Sequence, residues 1–145
     1  MTLISVEELE RALNLLKEWR SSVQSEIVLP WPPSVNKYWR TYQGRMLVSE
    51  EGRNYIATVA DQILLQGFRK NKTYENKIIV QIQAYRPDER KRDLDNLFKA
   101  PLDALAKAGV YKDDSQIVDL RIFWAKEKGG MLKVLISEVD DAHSD

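Results

Sequence analysis

Cysteine is absent from this chain of 145 residues, and histidine occurs once, as His143 in the terminal stretch DDAHSD. The first absence excludes disulfides and thiolate zinc sites and makes an intracellular, cytoplasmic address the expectation. The second excludes a histidine general base, a Ser-His-Asp triad and a His-rich metal cage within one chain. No apolar run approaches the roughly 20 residues that a membrane span needs, so no membrane partner is expected. The opening stretch MTLISVEELERALNLLKEW carries acids where an export signal needs a basic region followed by an unbroken apolar one, and no such signal is expected. Net charge is missing too, since 22 basic residues cancel 22 acidic ones. Bulk charge therefore does not advertise a polyanionic partner, and any nucleic-acid reading must rest on local patches. Whatever chemistry occurs falls to carboxylates, lysine, arginine or tyrosine.

What is present reads as one globular domain with a small appendage, divided into an N-terminal helix and linker over 1–24, a core domain over 25–140 and an acidic tail over 141–145. Ser5-Val-Glu-Glu8 is a capping-box pattern, and Val6, Leu9, Leu13, Leu16 and Trp19 recur at helical spacing. This stripe is expected to cover the core, with a dimer interface or a partner as alternatives. A short strand over 26–29 stops at Pro30. The segment LPWPPSVNKYWRTYQGRMLVS then interleaves Trp31, Tyr38, Trp39 and Tyr42 with Lys37, Arg40 and Arg45. Such a mixture suits stacking on bases and holding phosphates, although aromatics bounded by proline also plug cores beneath loops. Ser49 caps a helix reaching about Gln66, with Tyr55, Ile56, Val59, Ile63 and Leu64 on its stripe. KIIVQIQAY, Lys77 to Tyr85, alternates with period two and predicts a strand. A helical period from Leu94 ends at Gly109, with Pro101 expected to bend or restart the helix. Two strands, 120–126 and 131–139, are expected to form a β-hairpin across Gly129-Gly130. The element order predicts an α/β or mixed α+β domain: a small mixed β-sheet packed with helices.

The stretch KRDLDNLFKA holds the chemistry. Residues two apart diverge by about 200° on a helix but share a face in extended chain. Asp93 and Asp95 can therefore converge on one cation only at a strand-to-helix transition, where the sequence puts them. Lys99 follows four residues past Asp95, and Asp113-Asp114 follow the same helix after a Gly-terminated turn. Arg86, Arg90, Lys91 and Arg92 stand immediately upstream, ready to hold an anionic substrate. The competing reading makes Asp93 an ordinary N-cap and Asp95 an acid favoured by the helix dipole. An oxygen-only donor set suits Mg²⁺, with Mn²⁺ as a substitute, and favours phosphoryl transfer to water. An EF-hand is excluded by the absent glycine and glutamate of its loop.

The segments LPWPPSVNKYW, RPDERKRDLDNLFKAPLDALAKAGVYKDDSQIVDLRI and KGGMLKVLISE resemble the RusA-type Holliday junction resolvases, small endonucleases of phages and bacteria, over roughly residues 26–139. The N-terminal helix lies outside that pattern. The resemblance implies a Mg²⁺-dependent homodimeric nuclease acting on four-way DNA junctions in recombination and repair. It places the metal-binding acids on Asp93, Asp95 and Asp114, with Asp113 the lesser member of its pair, and the catalytic lysine on Lys99. Arg90, Lys91 and Arg92 match the basic run before the acids. Together with Arg86, Lys37 and Arg40 they make the candidate DNA contacts. Pro101 departs from the pattern, where a helix-friendly residue is more usual. Two rivals remain: a DxD-type transferase, for which the chain offers no Gly-rich nucleotide loop, and a catalytically inert junction-binding or phage accessory protein with the same fold.

Overall fold

The computed structural model describes residues 4–21, 23–68 and 72–139, with the side chains of 16–21 outside the description. The acidic tail and His143 also lie outside it, as do Leu16 and Trp19 of the expected stripe. Helix α1 spans Val6–Ser21, β1 Ser25–Pro30, a one-turn α2 Val35–Tyr38, β2 Trp39–Tyr42, β3 Arg45–Val48 and α3 Glu50–Leu65. Strand β4 follows at Ile78–Tyr85, a 3₁₀ turn at Leu94–Asn96, α4 at Lys99–Lys107, a second 3₁₀ turn at Asp114–Gln116, β5 at Ile117–Trp124 and β6 at Met131–Glu138. The result is the expected mixed α+β fold. A four-stranded sheet in the order β1-β6-β4-β5 stands beside a separate β2-β3 hairpin.

The alternation read in β4 becomes a two-sided strand. Ile78, Val80, Ile82 and Ala84 are fully buried, and join Ile27 and Leu29 of β1 with Leu132, Val134 and Ile136 of β6 in one core. Tyr55, Val59 and Ile63 of α3 and Leu102, Ala104 and Leu105 of α4 complete that core. The other face carries Gln81, Gln83 and a Lys133–Glu26 ion pair at 3.3 Å, as expected where one face of a sheet meets solvent. Edge strand β1 leaves Val28 with unpaired backbone groups, and the Gln66 amide satisfies both, accepting from the Val28 N–H at 2.7 Å and donating to its carbonyl at 2.8 Å. Such cover blunts an edge that could otherwise template association.

Three expectations need correction. The predicted β5-β6 hairpin does not form: β4 lies between the two strands, parallel to β5 and antiparallel to β6. The reason lies in the connector, whose Ala125, Gly129 and Gly130 amides donate to the Ala84, Arg86 and Tyr85 carbonyls and so carry the chain across the end of β4. No element is expected between the strand ending at Pro30 and the helix capped by Ser49, but this segment contains α2 and the β2-β3 hairpin, closed by Gln43 and Gly44 at φ 50 and 75. Positive φ at both turn residues is the type I′ geometry that matches strand twist. Finally, α1 does not cover the core with its first turns. Ile4, Val6, Leu9, Leu13 and Leu15 are all exposed.

Pro101 restarts the helix, as expected. The chain leaves Leu94–Asn96 and begins α4 at Lys99, so Pro101 sits in the first turn, where its missing N–H has no intrahelical partner to lose. At the other end the Gly109 and Val110 amides donate to the Ala106 and Leu105 carbonyls, closing α4 with a Schellman motif. Ser49 caps α3 by accepting from the Gly52 N–H at 3.0 Å. Among the described residues no helix is long and apolar enough to cross a membrane.

Candidate active site

The basic run leaving β4 is held by its own chemistry. Asp88 accepts from the Arg90 N–H at 2.9 Å and takes both Arg92 guanidinium nitrogens, at 2.7 and 3.1 Å. This bidentate grip holds the Asp88 carboxyl down at about 2. The Arg92 guanidinium lies 5.6 Å from the Trp31 ring centre, Trp31 stacks on Trp124 at 6.3 Å, and Arg86 covers Trp124 at 4.5 Å. Alternating cations and rings thus join the ends of β1, β4 and β5 into one stack. Arg86 and Arg92 are consequently occupied within the fold, whereas Arg90 and Lys91 are exposed. Lys37, Lys91, Arg92 and Asp93, with Trp31 and Pro33, line a cleft of about 550 Å³.

Asp93 opens from that cleft on extended backbone, φ −91 and ψ 134, and its side chain makes no capping bond to the turn that follows. No regular helix runs through it, so the divergence that would separate Asp93 from Asp95 does not arise on that account. Both acids are exposed, Asp93 just before the 3₁₀ turn and Asp95 within it, and buried Leu97 pins the end of that turn ahead of α4. The ordinary N-cap role is therefore not what Asp93 does.

A second acidic group gathers one helix later. Lys99, Asp103 and Lys107 follow one another at intervals of four along α4, and Lys107 reaches Asp103 at 3.1 Å. Asp103 also accepts a short hydrogen bond from the hydroxyl of fully buried Tyr38. Burial and the adjacent Asp103 carboxylate push that phenol well above its ordinary value, so it stays a donor. Asp114 is open to solvent on one side, yet partial burial raises its carboxyl. The Tyr111 hydroxyl and Lys99 oppose that shift, while the charges of Asp103 and Asp113 reinforce it. Asp113 has a different task. It caps the second 3₁₀ turn, and Gln116 returns the favour by accepting from the Asp113 and Lys112 amides at 2.9 and 2.7 Å. Asp114 is left free of capping duty.

The fold thus brings Lys99 and Asp114 together, with Asp103 and the two buried tyrosines added. Asp93 lines the cleft, and Asp95 stands exposed in the 3₁₀ turn that follows, on the approach to α4. Among the described residues no three His, Cys, Asp or Glu side chains stand close enough to enclose a metal ion. In kind, however, the donors suit a hard divalent cation. They are oxygen only, and the raised Asp114 carboxyl with two like-charged neighbours is an arrangement that a cation would relieve. Sequence reasoning missed Asp103 and Tyr111, and took Tyr38 only as one of the aromatics suited to stacking on bases or to plugging the core. The i, i+4 spacing of Lys99 and Asp103 was legible, but nothing local says that tyrosines from α2 and from beyond α4 point at these acids.

Residues 30–137 match the family Endodeoxyribonuclease RusA. The crossover junction endodeoxyribonuclease rusA of Enterobacteria phage 82 is 43% identical over 114 residues, covering 78% of this chain and 93% of that protein. The Escherichia coli K12 protein of the same name is likewise 43% identical over 114 residues, with the same coverage, and that of Shigella sonnei 41%. Helix α1 lies before the matched segment, as the sequence pattern indicated. The chain belongs to the RusA endodeoxyribonuclease family.

Proposed function

We propose that this chain is a structure-selective endodeoxyribonuclease that resolves four-way DNA junctions by phosphodiester hydrolysis in recombination and repair, acting as a homodimer with Mg²⁺ at Asp93, Asp95 and Asp114. The observation that carries the reading is the state of Asp93, an acid unspent in capping, on extended backbone at the mouth of a cleft lined with Lys37, Lys91 and Trp31. The printed names of the relatives, crossover junction endodeoxyribonucleases, support the junction as substrate.

Each residue has a task in this reading. Lys91 and Arg90 neutralise backbone phosphates on the approach, with Lys37 on the cleft wall and Arg40 on the adjoining hairpin. Lys99 steadies the phosphate or the leaving oxygen beside Asp114. When bound, a divalent cation supplies Lewis-acid stabilisation of the phosphoryl oxygens and a water of lowered pKa. The Tyr38–Asp103 bond ties α2 to α4 and thereby keeps the cleft wall in register with Lys99. Two-fold symmetry answers the chemistry of the substrate, because a clean resolution needs equivalent cuts in opposed strands. A catalytically inert junction-binding protein is the alternative, and one experiment separates the two. Purified protein is incubated with a labelled four-way junction and with linear duplex, with and without Mg²⁺. Metal-dependent nicking of the junction alone supports the proposal, and binding without cleavage of any branched substrate favours the inert reading.

A further inference from the structure

The β2-β3 hairpin is anchored at its base and free on one face. The Ser49 N–H donates to the Tyr38 carbonyl at 2.8 Å, the Ser49 hydroxyl to the Lys37 carbonyl at 2.5 Å, and Arg53 to the Val48 carbonyl at 2.9 Å. Trp39 and Val48 pack against the core. An isolated pair of four-residue strands would hardly hold its shape in water, so this base is what orders the hairpin.

Strand alternation then sorts the remaining side chains. Register pairs Arg40 with Leu47 and Tyr42 with Arg45, which sets these four on the face opposite Trp39 and Val48. All four are exposed, Tyr42 at 54%, and Arg40 lies 5.6 Å from the centre of the Tyr42 ring. Two guanidinium groups therefore alternate with a ring and an aliphatic side chain. The segment 39–48 contains no acid, and among the described residues neither arginine is in an ion pair. Among the described residues no other element forms an ion pair with this face.

Its chemistry specifies an occupant. Guanidinium groups pair with phosphates, while a tyrosine ring beside a leucine offers an apolar surface to a base. In a continuous duplex those base faces are buried in the stack, and a branch point is where they come open. The chain also runs from the cleft wall, Trp31 to Lys37, directly into this hairpin. Resting on the proposed nuclease reading, we propose that the Arg40, Tyr42, Arg45 and Leu47 face docks on base faces opened at the branch point of DNA, and so supplies the preference for junctions over linear duplex.

The test titrates the full-length protein in EDTA, to prevent cleavage, with a four-way junction and with a linear duplex of the same arm sequence. Wild type is compared with the double variant Tyr42→Ala/Leu47→Ala and with Tyr42→Phe. One lost base-stacking contact corresponds to roughly a tenfold loss of affinity. The double variant is expected to lose about that factor on the junction and less than about twofold on the duplex, with Tyr42→Phe close to wild type. Equal losses on both DNAs, an unchanged junction preference, or a wild type that shows no preference would each overturn the assignment. Junction cleavage by wild type in Mg²⁺, measured separately, distinguishes failure of the hairpin role from failure of the nuclease reading: cleavage with an unchanged preference in the double variant sinks only the former.

Discussion

Substituting Gly52 tests whether the hairpin's base is as tightly built as its contacts indicate. Gly52 occupies the first turn of α3, and a Cβ there would meet the Tyr38 carbonyl oxygen and Val48 Cγ1 at 2.7 Å, with Tyr38 Cδ2 at 3.0 Å. Tyr38 is fully buried and its carbonyl already accepts from Ser49, so neither the ring nor the backbone can yield cheaply. Two effects oppose each other. Gly→Ala within a helix gains up to about 1 kcal/mol from propensity. Overpacking costs about 1–3 kcal/mol, and weakening the Ser49–Tyr38 bond adds about 1 kcal/mol. The cost wins by about 1–3 kcal/mol, which for a domain of this size lowers Tm by roughly 3–10 °C. Thermal denaturation of Gly52→Ala reads this directly. Junction affinity should fall in parallel, because the same contacts hold Lys37 and Arg40 in place. A variant with unchanged or raised Tm would refute the reasoning, since propensity would then have outweighed the clash.

Further outcomes follow from the division of labour among the charges. Asp113→Ala should cost about 1 kcal/mol through the lost cap while leaving cleavage largely intact, whereas Asp114→Asn should abolish cleavage with little loss of stability; denaturation beside a cleavage assay reads both. Replacing exposed Arg90 and Lys91 by Ala should weaken junction binding and lower the salt slope of log K by roughly 2, as two phosphate contacts disappear, and an unchanged slope would remove them from the interface. Asp88 has a folded pKa depressed from 3.8 to about 2 by Arg92, so its contribution is present above pH 3.8 and fades as pH falls through the folded value. Acid titration followed by tryptophan fluorescence should then show Asp88→Asn losing part of the wild-type transition in that window, because Arg92 and Asp88 brace the Trp31–Trp124 stack.

Much of this was legible in the sequence, for identifiable reasons. The period-two run Ile78 to Tyr85 gave its buried and solvent faces correctly because burial on one side of a sheet imposes that period. Ser49 and Gly109 marked helix ends because capping chemistry is local, and Pro101 announced the restart at Lys99. Long-range pairing was not legible. Gly129-Gly130 looks like a hairpin turn, and only the backbone groups at the end of β4 decide that the connector crosses over it. The type I′ turn at Gln43-Gly44 was hidden by its setting, since the two strands it joins are only four residues long and mostly exposed, so no alternation of burial marks them. At the candidate site, the extended placement of Asp93 was readable from the switch in hydrophobic period. The Tyr38–Asp103 bond and the Trp31–Trp124 stack depend on contacts between elements far apart in the chain, which no local pattern encodes, whereas the Asp113 cap is local and is completed by Gln116 three residues on.

The central claim is paired cleavage at a junction through the Asp93, Asp95 and Asp114 carboxylates. It is tested most directly with a supercoiled plasmid that extrudes a cruciform, incubated with wild type or Asp95→Asn in Mg²⁺ and resolved on a gel. Two opposed cuts within one binding event yield linear plasmid without accumulation of nicked circle, and the account predicts that product from wild type and none from Asp95→Asn. Nicked circle alone would contradict paired action, and linear product from Asp95→Asn would contradict the assigned carboxylates.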